Sequence, residues 1–256
     1  MCIRDRRANV AIARNFVDAD SAEFDRDRHG TEVAGIIAAV ANNGEGMVGA
    51  APEARLMALK ACWQSRAPQA GSQCNSFTLA QALSAAIDGD AQVVNLSLGG
   101  PGDELLTRLV THLLRRGSIV VGAVPPTGNL GGFPIGIPGV IAVDALGHGS
   151  PRPHVLYAPG RDILTLMPGG RYDFDSGSSL AAAHVSGAVA LLLSADPGLD
   201  SPRISALLER SSNDSGAVAD IGRSIDACAA LAALRNVPSC GMGAPMQAAA
   251  QPAAVH

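Results

Sequence analysis

Apolar residues along this chain follow two periods. Short runs rich in Val, Ile, Leu and Ala occur at 55–62, 92–98, 118–124, 140–145 and 163–167, apolar on both faces, as strands buried on each side require. Helical spacing occurs at 29–42, 77–88, 103–116, 179–195, 202–211 and 224–234. Strands that alternate with helices predict an α/β fold of three layers, a mainly parallel sheet with helices on both faces. Crossovers in such a sheet are right-handed, and sites gather beyond the carboxyl ends of the strands. The run at 92–98 leads into Gly99 and Gly100, while His29 and Ser179 open helices. All three should reach the same edge.

Composition narrows the class. A chain of 256 residues suffices for one α/β domain with a single core. Aromatics are 3% of it, so Ala, Val, Leu and Ile must build that core. The net charge of −4 points to neither nucleic acid nor an anionic membrane as partner. No apolar run approaches the roughly 18 residues that span a bilayer. Lys60 is the only lysine, a skew that suits a GC-rich genome better than a binding role. Beyond Cys2, the cysteines fall in two close pairs, Cys62 with Cys74 and Cys228 with Cys240. Two local disulfides and an oxidising compartment are expected; four buried thiols are the alternative.

Three stretches carry chemistry. Gly177-Ser-Ser-Leu-Ala-Ala-Ala-His-Val-Ser-Gly187 sets Ser179 at the mouth of a small-residue helix, where the helix dipole favours an oxyanion. By itself this is equally a Ser-rich cap on a core helix. His29-Gly-Thr-Glu-Val-Ala-Gly35 opens a second such helix, and Val93-Val-Asn-Leu-Ser-Leu-Gly-Gly100 is a strand with a glycine exit. Together they resemble the subtilisin-like serine peptidases, the subtilases, from about residue 14 to about residue 211. The histidine motif of that family, His-Gly-Thr-x-Val-Ala-Gly, is matched at 29–35. Its serine motif is matched at 177–187, with Ser178 for Thr and Ala183 for Pro.

The resemblance implies a serine endopeptidase acting on polypeptides. Ser179 would be the nucleophile and His29 the general base. Ser97, Leu98, Gly99 and Gly100 would pair with the substrate backbone and line its pocket. His184 would pack within its helix, and His112, His148, His154 and His256 lack a partner pattern. The oxyanion asparagine of the family is harder to locate. An ungapped count puts Pro126 there, whereas a short insertion puts Asn129 there, and Asn129 also suits a plain Gly-Asn turn. Calcium is common in the family. Asp18, Asp20, Asp25 and Asp27 would be a weak site for it or a solvated loop; no other metal or cofactor is implied. A monomer that is secreted or periplasmic is expected.

The ends depart from the pattern. Residues 1–6 resemble a translated sequencing adaptor, 7–235 a catalytic domain lacking its first core strand, and 236–256 a flexible Ala- and Pro-rich tail. The triad Asp of the family precedes its His in an Asp-Ser/Thr-Gly turn, and no such turn precedes His29. The Asp is therefore expected to be lost by truncation. In a subtilisin, removing it alone costs about 3 × 10⁴ in kcat. The alternative is an inactive peptide-binding relative of the same fold. An α/β-hydrolase esterase fits worse, since Gly177-Ser-Ser-Leu-Ala lacks the second Gly of its nucleophile elbow and His29 comes too early.

Overall fold

At the centre lies a four-stranded parallel sheet in the order β5-β6-β7-β8: β5 (Val93–Leu96), β6 (Ile119–Ala123), β7 (Ile141–Ala145) and β8 (Val155–Ala158). The register pairs Val93 with Ile119, Val121 with Ile141 and Ala142 with Val155. The architecture comes from a computed structural model that describes residues 9–18, 27–64, 72–212 and 223–238.

The alternation of β6 builds two cores. Ile119, Val121 and Ala123 face one side, where they meet helices α4 (Ser178–Ala195), α5 (Ser201–Arg210) and α6 (Ala227–Arg235) through residues such as Val185, Ile204 and Ala230. Val120 faces the other side, against α2 (Ser76–Asp88) and α3 (Glu104–Arg115) through Leu83, Leu106 and Val110. Burying each Leu, Ile or Val here contributes about 1.5–3 kcal/mol. The three-layer fold is as expected.

The helices start where the sequence provides caps. Asn75, Asp103, Asp200 and Asp226 each accept from the backbone N–H three residues on. α4 is the exception: its cap is Gly177, and no side chain caps it. Its first turn therefore keeps backbone N–H groups open.

Two expectations change. The run at 163–167 does form a strand, β9 (Ile163–Met167), but it pairs antiparallel with β10 (Arg171–Asp175) in a separate ribbon. Its faces differ, with Thr165 and Leu166 buried and Leu164 exposed, so it suits a ribbon laid on a helix. The helix expected at 29–42 stops earlier, as α1 (Arg28–Ala38), because Ala39 turns to extended backbone. Among the described residues, α4 alone could cross a bilayer by length and mean hydropathy, contrary to the reading of the sequence. Yet 61% of it is buried within the protein, as befits a core helix.

Outside the central sheet, β1 (Val10–Asn15) pairs in parallel with β2 (Leu56–Lys60) as a second sheet. A hairpin joins β3 (Cys62–Gln64) to β4 (Ser72–Cys74), and the Cys62–Cys74 disulfide clips it. Cys228 is also disulfide-bonded, while Cys240 lies outside the described residues.

Candidate active site

α1 and α4 pack directly on each other through Val33, Ile36, Leu180 and Ala183. Each helix opens on a candidate catalytic residue, His29 and Ser179, in its first turn. Both line one cavity of about 530 Å³, shared with Leu98, Gly99, Pro125 and Pro126. The strand exit and the two helix mouths therefore meet at one edge.

Ser179 is held by its surroundings. Its Oγ donates to the carbonyl of Ser97 at 3.3 Å, and the Ser97 hydroxyl donates to the Ser179 carbonyl at 2.9 Å. Asn95 donates to the Ser97 hydroxyl and accepts from Ser186 of α4, each at 2.9 Å. The neighbouring Ser178 donates to Val124 O at 2.6 Å, and Gly177 N donates to Gly160 O at 2.7 Å. The helix mouth is thus fixed to three strand ends.

His29 sits behind an N-cap. The Asp27 carboxylate accepts from Gly30 N at 2.9 Å, and Thr31 Oγ1 donates to Asp27 O at 2.6 Å. Burial pushes the imidazole below its ordinary pKa, against the opposing pull of the Asp27 and Asp175 carboxylates. Among the described residues, no hydrogen bond or ion pair reaches its ring. Asp175 also lines the cavity. Arg28 links it to the protein interior: its Nη2 lies 3.6 Å from both Asp173 and Asp175, and its Nε donates to Glu32 Oε1 at 2.7 Å. The Glu32 carboxyl is buried, which raises its pKa against the pull of Arg28.

The remaining expected site residues divide. Leu98 and Gly99 line the cavity. Ser97 is the anchor of Ser179, and Gly100 exchanges two 3.0 Å backbone bonds with Phe133. Asn129 is exposed and does not line the cavity; its Oδ1 accepts from Gly131 N at 2.9 Å. The first turn of α4, uncapped by any side chain, presents backbone N–H groups at the helix mouth. His184 does pack within its helix, with Nδ1 2.9 Å from Leu180 O. Asp27 is occupied as a cap, Asp18 is bonded to Asn15 at 2.9 Å, and Asp20 and Asp25 lie outside the described residues. Among the described residues, no group of three or more His, Cys, Asp or Glu could hold a metal ion.

Two members of the cavity wall escaped the reading of the sequence. Asp175 stands four residues before Ser179 but meets His29 only in the fold. His148 also lines the cavity, with its Nδ1 on the buried carboxylate of Asp144. A spacing of four between Asp144 and His148 was the one available hint.

The fold thus brings a serine and a histidine to the mouths of two packed helices on one cavity. A model described as the subtilase family matches residues 3–224, and the chain belongs to that family. It is 35% identical to Subtilisin E of Bacillus subtilis (strain 168) over 204 residues, covering 74% of this chain and 52% of the relative. It is 32% identical to Thermitase of Thermoactinomyces vulgaris over 219 residues, covering 82% of this chain and 76% of the relative. Among solved structures it is similar to fervidolysin from Fervidobacterium pennivorans, a keratinolytic enzyme related to subtilisin. The TM-score is 0.73 at 29% identity, over 90% of this chain and 40% of that one. The chain spans about half the length of Subtilisin E.

Proposed function

We propose that this chain is the catalytic part of a serine endopeptidase. The carrying observation is that His29 and Ser179, distant in sequence, line one cavity with Leu98 and Gly99. Ser179 Oγ leaves Ser97 O, gives its proton to His29 and attacks the peptide carbonyl. His29 returns the proton to the leaving amine. Backbone N–H groups at the α4 mouth stabilise the oxyanion, aided by the helix dipole. Burial keeps the imidazole neutral, as a base requires, and Asp175 stabilises the imidazolium that forms. The substrate is a polypeptide laid along Leu98 and Gly99. The enzyme works as a monomer, secreted or periplasmic, a location favoured by its disulfides.

A second reading has its own support: the chain binds peptides without cutting them. Asn129 does not line the cavity and is bonded to Gly131, Pro126 has no donor, and no described carboxylate is bonded to His29. A fluorophosphonate probe separates the two, because it labels only an activated serine. Labelling that is lost in Ser179→Ala and in His29→Ala supports the peptidase. Saturable peptide binding without labelling supports the binder.

A further inference from the structure

The strongest polar cluster not used by this chemistry is on the same cavity, away from His29. Asp144, at the end of β7, is 0% exposed. It accepts from Ala145 N at 2.8 Å and from the Arg152 guanidinium. Arg152 also donates to Gly128 O at 2.9 Å, and its backbone N–H donates to the Tyr157 hydroxyl at 2.8 Å. His148 Nδ1 stands 3.0 and 3.1 Å from the two oxygens of Asp144. An ionised carboxylate only accepts, so Nδ1 carries the hydrogen and Nε2 is the nitrogen presented outward. The ring is 49% exposed and lines the cavity that Ser179 lines. A buried carboxylate that fixes one nitrogen of an imidazole is the usual way to aim the other.

Arg161 lies beside it on the same wall, exposed, its Nη2 within 3.5 Å of Gly147 O. Asp144 is already engaged by Arg152, and Arg161 brings its cationic guanidinium to the cavity lining. Asp175, also on the lining, is engaged by Arg28, so Arg161 places a positive charge beside the His148 ring.

We propose that His148 and Arg161 form a subsite that selects a carboxylate side chain of the bound peptide, with Asp144 and Arg152 as positioning residues. This rests on the reading of the cavity as a peptide site. In its imidazolium form His148 donates through Nδ1 to Asp144 and through Nε2 to the peptide, and Arg161 donates through its guanidinium, a pairing suited to Asp or Glu.

The test is peptide binding to the full chain carrying Ser179→Ala, followed by fluorescence anisotropy at about pH 5.5, where an ordinary imidazole is cationic. The probes are labelled Ala-rich decapeptides with Glu, Gln or Lys placed at each position in turn. The expected result is one position at which Glu binds about tenfold tighter than Gln. That preference should fall below about twofold in His148→Gln. Arg161→Glu should reverse it in favour of Lys, a gain that misfolding cannot produce. Equal binding of Glu and Gln at every position, or a preference that survives both variants, overturns the subsite and leaves the peptide site standing. Absence of saturable binding by any probe overturns both.

Discussion

Ser97 and Ser179 hold each other, each hydroxyl donating to the other's backbone carbonyl across 82 residues of sequence. The Ser179 hydroxyl thus points at the end of β5. Its bond, at 3.3 Å, is the longer of the two, and it is the one that the proposed attack breaks. Ser97→Ala removes the shorter bond and keeps the carbonyl that Ser179 uses. It should lower stability by about 1 kcal/mol, read by urea unfolding, and change fluorophosphonate labelling less than about threefold. A labelling loss of about a hundredfold would instead make the Ser97 hydroxyl part of the reacting machinery.

The charge on His29 sets the acid limit. Burial lowers its pKa, so labelling of Ser179 should stay high below the ordinary imidazole range and fail only at more acidic pH. Asp175→Asn removes one of the two carboxylates that raise that pKa. The acid midpoint should then move further down while the plateau rate falls, by no more than about tenfold given solvent screening. An unmoved midpoint would separate Asp175 from His29.

The same shift acts on folding. His29 and His184 both have folded pKa values below their unfolded ones. Between those values the unfolded chain binds more protons, so stability rises with pH there. Thermal unfolding should show stability falling as pH drops through the unfolded imidazole range. His184→Gln should flatten part of that slope.

Asn129 offers a sharp contrast of magnitudes. A side-chain donor to the oxyanion is worth about 10²–10³ in rate. A turn asparagine bonded to Gly131 is worth almost nothing to chemistry. Asn129→Ala should therefore leave the labelling rate within about twofold, which a single rate measurement decides.

The hairpin clip is independent of the site. Cys62 and Cys74 close a short loop, with a sequence separation of 12. Replacing both with Ala should cost about 3 kcal/mol of stability in denaturant unfolding, while labelling below the new midpoint stays normal.

The helices and half of the described strands were readable because their periods are set by burial: β6 is buried at every position, and so it reads as an apolar run. β1 was missed because its middle residues are exposed, and β10 because it is almost wholly exposed and polar; neither has the pattern of a two-sided core. β8 is buried throughout but short, and short apolar runs follow no diagnostic period. The candidates His29 and Ser179 stood out by their motifs, each contiguous in the chain, and they line one cavity. Asp175 and His148 did not stand out, because they reach that cavity only through the fold, where Arg28 and Asp144 meet them. The Asn129 placement turned on loop length, which residue identities do not encode.

The two sheets, β1–β2 and β5–β8, share no ladder. α1 and its base lie in sequence between the strands of the first, whereas α4 and its nucleophile lie against the second. Backbone hydrogen bonding therefore aligns neither with the other, and registration falls chiefly to the seam of Val33, Ile36, Leu180 and Ala183. The surroundings of the two helices have little slack: a methyl group on Gly35 of α1 would stand 2.8 Å from Leu166 of β9, and one on Gly187 of α4 would stand 2.5 Å from Ala50. The relative placement of His29 and Ser179 is thus set like a mechanical fit: a single added carbon on either glycine can shift one against the other.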